Sequence, residues 1–157
     1  PRFAKAYANR GRLHFEMKRY EKALADHDKA IRLDPREPGV YVTRGRLHEA
    51  MKRDAKALAD YDKAISIDPR FAQAHVNRGL VYKALKRYDK ALADYDKAIR
   101  IDPELANAYV NRGALHHAMK KYRLALEDWE RALPLVRGTA GEQKVAGLIR
   151  KARSLSK

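Results

Sequence analysis

Along residues 3–17 the polar and apolar positions recur at helical rather than strand spacing. Lys5, Asn9, Arg12 and Glu16 share one face, Tyr7, Gly11 and His14 a second, and Phe3, Ala6, Leu13 and Met17 a third. A second helical stripe follows in Tyr20, Ala23, Leu24, His27, Ala30 and Ile31. Pro35 ends it, because its ring and missing N–H oppose continuation of a helix. The spacing predicts two amphipathic helices joined by a tight turn.

The pattern then returns. "KALADHDKAIRLDP" at Lys22–Pro35 is followed by "KALADYDKAISIDP" at Lys56–Pro69 and "KALADYDKAIRIDP" at Lys90–Pro103, 34 residues apart. A looser copy, "LALEDWERALPLVR", occupies Leu124–Arg137, and "NRG" or "TRG" recurs at 9–11, 43–45, 77–79 and 111–113. A fixed period of this length signals stacked helical hairpins. Gly11, Gly45, Gly79 and Gly113 sit inside the first helices despite a cost of about 1 kcal/mol relative to Ala. Close approach of the second helix accounts for them, with Ala23, Ala57, Ala91 and Ala125 expected as the small facing residues.

In sequence and order these marks resemble the tetratricopeptide repeat: Tyr7, Gly11, His14, Ala23, His27, Ala30, Pro35, and equivalents through Tyr109, Gly113, His116, Ala125, Trp129 and Ala132. The resemblance covers about Arg2–Arg137. The fourth copy departs from it, because Pro134 comes three residues early and Arg137 stands in the proline position. The resemblance implies an all-α, right-handed α-solenoid in a single domain of residues 1–157. Four hairpins, at about 2–35, 36–69, 70–103 and 104–137, would be followed by a capping helix at about 139–155. Nine helices are expected. The capping helix is read from "TAGE" at Thr139–Glu142, which has the form of a capping box, and from the apolar stripe Val145, Leu148, Ile149, Ala152 and Leu155. Such a helix would shield the last hairpin.

Composition narrows the picture without redirecting it. Of 157 residues, 45% are apolar and 35% charged, and mean hydropathy is −0.70, which suits thin helical layers with much surface. No apolar run approaches the roughly 20 residues of a membrane span. The chain opens at Pro1 without a signal-peptide pattern, so a piece of a longer, cytoplasmic protein is the expectation. With no Cys, thiol chemistry and disulfides are absent.

The acidic doublets look at first like chemistry. Asp94 and Asp96, like Asp26 and Asp28 or Asp60 and Asp62, lie two apart on a helix and diverge, so they cannot jointly hold a proton or a metal. Asp26, Asp60, Asp94 and Asp128 are instead the expected partners of Arg10, Arg44, Arg78 and Arg112, which occur once per copy. His14, His48 and His116 share a packing slot with Tyr82, and adjacent His116 and His117 diverge, so interhelical filling outweighs metal binding. No Ser–His–Asp order, Gly-rich phosphate loop or zinc spacing occurs. Neither an enzyme nor a bound cofactor is expected.

Net charge is +15, with pairs at Lys18–Arg19, Lys52–Arg53, Lys86–Arg87 and Lys120–Lys121 along one edge. Such an edge could follow phosphates of nucleic acid or an anionic membrane. The bland reading, solvated turn residues, is favoured, and the stripe lacks the interleaved aromatics that stack bases. A self-assembly scaffold is a third alternative. The leading expectation is a module binding an extended or helical protein segment in its concave face, which in the family is lined by the first helices. On that face Asn9, Asn77 and Asn111 would hold a peptide backbone, since an amide both donates and accepts; Thr43 breaks the series. Lys5, Arg12, Arg46 and Lys83 would attract acidic groups. The family's carboxylate clamp for chaperone tails is disfavoured, because Ala8, Arg12, Thr43 and Gln73 take most of its places.

Overall fold

The computed structural model describes residues 2–155, and every regular element among them is an α-helix. In order these are α1 (Arg2–Glu16), α2 (Tyr20–Leu33), α3 (Pro38–Ala50), α4 (Asp54–Ile67), α5 (Ala72–Ala84), α6 (Tyr88–Ile101), α7 (Ala106–Ala118), α8 (Tyr122–Leu135) and α9 (Gly141–Leu155). Packing divides the chain into two compact units, Pro1–Val81 and Tyr82–Lys157. In the first, Tyr41, Val42, Ala57, Tyr61 and Ala64 form a core with Ala74 and Val81, flanked by Ile31 and Phe71. In the second, Trp129 packs with Ala125, Ala132, Val145, Ile149 and Ala152.

The turns that close the hairpins share one geometry. After α1, the Lys18 N–H donates to the Phe15 carbonyl at 2.9 Å and the Arg19 N–H to the His14 carbonyl at 2.8 Å. That is the Schellman arrangement, which needs a left-handed residue after the helix and normally takes glycine. Here lysine supplies it: Lys18, Lys52, Lys86 and Lys120 have φ of 57, 58, 58 and 60°. The basic pairs therefore mark a strained backbone turn, and nothing in the sequence betrays the strain, because lysine carries no left-handed preference. The cationic side chain sits at the negative end of the helix dipole, which offsets part of the cost. Replacing Lys52 by Gly removes a Cβ clash of about 1–2 kcal/mol. We expect Lys52→Gly to raise stability by about 1 kcal/mol in urea denaturation; a lower midpoint would contradict the strain.

Between hairpins the Asp–Pro steps fold over in the same way each time. Asp34, Asp68 and Asp102 accept from the N–H two residues on, at 3.2, 2.9 and 3.0 Å. Such a local bond sets the turn and uses the carboxylate. Glu37 then caps α3, accepting from the Gly39 N–H at 3.2 Å ahead of Pro38.

At Gly11, Gly45 and Gly113 the nearest neighbours are rings rather than the alanines. A Cβ on Gly45 would lie 2.5 Å from Tyr61 Cε1, on Gly113 2.6 Å from Trp129 Nε1, and on Gly11 3.0 Å from His27 Cε1. The partner in each case is the ring sixteen residues on. The glycine opens a slot for a large ring, while Ala23, Ala57 and Ala125 are fully buried in their own right.

The fourth exit is smooth. Pro134 lies inside α8 one residue from its end, where its missing N–H removes the bond to the Glu130 carbonyl, and the helix stops at Leu135. Gly138, at φ +73°, turns the chain into α9. The capping box is shifted by one residue. The Thr139 hydroxyl accepts from the Gly141 N–H at 3.1 Å, and Glu142 reaches back to the Gly138 N–H at 2.8 Å. Val145, Ile149 and Ala152 are buried against α8, whereas Leu155, expected in the stripe, is exposed.

Candidate functional site

The side chains that look most like chemistry are the acids and arginines, and both belong to the frame. Arg44 places Nε and Nη2 on Asp60 at 2.9 and 2.6 Å, and Nη1 on Asp28 at 2.7 Å. Arg112 repeats this, with Nη2 on Asp128 at 2.6 Å and Nη1 on Asp96 at 2.5 Å. Arg78 likewise places Nη1 on Asp62 at 2.7 Å. The pairing is thus sixteen residues forward to the buried aspartate of the same hairpin and sixteen back to the second aspartate of the one before. Only the forward pairing was legible in the sequence. The doublets Asp26/Asp28 and Asp60/Asp62 are staples between layers: their two carboxylates diverge because they serve successive arginines.

Protonation follows this wiring. Burial alone would lower the Arg44 pKa, but the hydrogen bonds that it donates to Asp60 and Asp28 outweigh this and the net direction is up. The hydrogen bond from Arg10 holds the Asp26 carboxyl below its ordinary range, against the opposing effect of burial. His48 and His116 approach Asp60 and Asp128 at 3.8 Å, yet burial pushes both imidazoles toward the neutral form. His27, in the ring slot opposite Gly11, is lowered for the same reason. Burial likewise raises the Glu49 carboxyl, which accepts from the Tyr61 hydroxyl at 2.6 Å. Among the described residues no group of three or more His, Asp or Glu is placed to hold a metal ion.

What remains open lies on the first helices. A concavity of about 420 Å³ in the first unit runs between α1 and α3. Ala4, Ala8, Gly39 and Val40 give it an apolar floor; Lys5, Asn9, Arg12 and Thr43 stand around it. Asp34 and Glu37 also reach its rim, but their carboxylates already accept backbone N–H groups. Among the described residues Lys5 and Arg12 make no ion pair, and both are exposed, as is Asn9. Lys5, Asn9 and Arg12 come together because residues four and three apart share a helix face.

The other expected site residues sit differently. Arg46 is exposed and lies over the Phe15 ring at 5.8 Å, outside the walls of the concavity. Asn77 is buried, and its amide oxygen accepts from Gln73 at 2.8 Å. In the second unit Lys83 and Asn111 are half-buried, and burial lowers the Lys83 pKa. Thr43, where the asparagine series breaks, turns its hydroxyl onto the Gly39 and Val40 carbonyls at 3.2 and 2.9 Å.

No helix among the described residues is long and apolar enough to cross a membrane. Residues 4–37 and 72–105 match the family model described as tetratricopeptide repeat, and residues 50–86 match one described as TPR repeat. No curated protein matches the chain. Among solved structures, one described as a functional characterization of Pseudomonas aeruginosa pilF is 26% identical with a TM-score of 0.85, covering 98% of this chain and 70% of that one. The TPR2B domain of yeast Sti1, in a complex with pHsp70, is 25% identical with a TM-score of 0.70, covering 74% and 96%. The first TPR of Spaghetti (RPAP3), bound to the HSP90 peptide SRMEEVD, shares the fold at 22% identity and a TM-score of 0.71, covering 76% and 94%.

Proposed function

Because the chain belongs to the tetratricopeptide repeat family, we propose that it is a protein–protein interaction module that holds an extended peptide along its first helices. The observation that carries this reading is the concavity between α1 and α3, where Lys5, Asn9 and Arg12 surround an apolar floor without internal partners. An amide such as Asn9 both donates and accepts, so it suits a peptide backbone, which presents an N–H and a C=O per residue. Lys5 and Arg12 suit an acidic side chain in the same segment. On the first unit Arg46 and Asn77 are further proposed contacts, Asn77 only after its bond to Gln73 is given up; on the second unit Lys83 and Asn111 are proposed contacts in their own right. Two neighbours of the fold, from yeast Sti1 and Spaghetti, are described in complexes with pHsp70 and an HSP90 peptide, which supports peptide binding as the mode. The carboxylate clamp itself is disfavoured here, with Ala8, Arg12, Thr43 and Gln73 in its places.

Selection of displayed random peptides on the full chain tests this. Acidic extended sequences should be enriched, and Lys5→Glu with Arg12→Glu should weaken the selected peptides more than tenfold. Lys52→Glu with Arg53→Glu should leave them within a few-fold at physiological salt, where screening acts over roughly 8 Å. Loss in the edge variant with retention in the groove variant would move the site to the basic turns.

A further inference from the structure

Glu49, in the last turn of α3, stands outside the arginine frame. It is half-buried, and one of its oxygens accepts from the hydroxyl of the fully buried Tyr61 at 2.6 Å. Asp26, Asp60 and Asp128 each hold an arginine. Among the described residues Glu49 makes no ion pair, and its other oxygen accepts no hydrogen bond. Arg46, one turn earlier, lowers the carboxyl pKa from a distance but lies over the Phe15 ring, and Asp54 opposes it. Burial is the larger effect and raises the pKa.

The repeat does not require an acid there, since Phe15, Lys83 and His117 occupy the corresponding positions. Nor does Tyr61 require a charge, because a neutral amide oxygen would satisfy its hydroxyl equally well. A carboxylate drawn partly out of water costs free energy unless a cation offsets it. In a chain of net charge +15 that cation is missing from this one place. Glu49 follows Thr43, a wall of the concavity, by six residues, about 9 Å along α3. An extended chain advances about 3.3 Å per residue, so roughly three to five residues of a bound peptide reach from the concavity to Glu49.

We propose that Glu49 determines specificity in this groove by receiving a lysine or arginine side chain of the bound peptide. The preferred segment then carries an acidic residue for Lys5 and Arg12 and a basic one roughly three to five residues away. This rests on the reading of the concavity as a peptide site and narrows its ligand from acidic peptides to peptides carrying both charges. The ligand supplies the cation that the fold withholds, while the buried Tyr61 keeps hold of the carboxylate and fixes its position. A charge-assisted hydrogen bond in such partly dry surroundings is stronger than a neutral one. A wholly acidic segment is the poorer ligand, because a second carboxylate would meet Glu49.

Glu49→Gln separates charge from packing, since its amide oxygen still accepts from Tyr61, and its melting temperature should match that of the wild type. Random peptides displayed to the full wild-type chain should be enriched in an acid and a Lys or Arg at fixed spacing. Displayed to Glu49→Gln, they should keep the acid and lose the base. A peptide from the first pool, labelled with fluorescein and titrated by anisotropy, gives the size of the effect. Changing its basic residue to Gln should weaken binding to the wild type about tenfold and to Glu49→Gln less than about twofold. An enriched acid without a basic preference, or equal discrimination by the two proteins, would overturn the proposal and leave the concavity as a peptide site. No enriched sequence at all would overturn the peptide reading and this proposal with it. Should Glu49→Gln fail to fold, the wild type decides alone, because equal affinity for the two peptides sinks the proposal.

Discussion

Asp60→Ala should cost about 3 kcal/mol of folding free energy, the largest effect of any single carboxylate in the first unit. Asp60 is buried and receives two nitrogens of Arg44, whose third nitrogen holds Asp28. Without Asp60 the guanidinium stays in its layer with one carboxylate instead of two, and the desolvation cost is no longer offset. Breaking a buried pair costs about 3–5 kcal/mol, and the partial exposure of Arg44 places this case at the lower end. Asp62→Ala is the control, since Asp62 is exposed and accepts a hydrogen bond from Arg78. An exposed pair contributes about 0–1 kcal/mol. Urea denaturation of both variants decides the point. Equal small effects would mean that the aspartates are ordinary surface residues.

Removal of Thr139–Lys157 should cost still more and should alter the state of association. The described part of this segment buries Val145 and Ile149 against Trp129 and Leu133, and each such side chain is worth about 1.5–3 kcal/mol when fully buried. The loss is at least about 3 kcal/mol before the bared apolar surface finds another partner. It also releases Glu130 from Arg153. Light scattering should therefore show self-association in the truncated chain and none in the full chain. Unchanged melting and a monomer after truncation would contradict the capping role of α9.

The hairpins were legible because the same letters return with a 34-residue period, and a helix face can be read from spacing alone. Arg10 and Asp26 could be paired for the same reason. Asp28 could not be assigned, because its partner Arg44 sits in the next layer and the two meet only once layers stack. The glycine–ring contacts were misread as glycine–alanine contacts: an approach distance depends on how two helices cross, and periodicity carries no crossing angle. Arg153 escaped notice because α9 lies outside the repeat, and its arginine reaches Glu130 by position in space rather than by register. The concavity was partly legible. Lys5, Asn9 and Arg12 share one helix face, whereas the burial of Asn77 depends on its neighbours, to which its own face gives no clue.

Backbone amide chemical-shift mapping on the full chain, with a peptide selected by display, tests the central claim most directly. The account predicts that the largest shifts fall on Ala8, Asn9, Arg12, Gly39 and Thr43, around the concavity between α1 and α3. Largest shifts at the turns carrying Lys18–Arg19 and Lys52–Arg53, with those five amides unmoved, would contradict it.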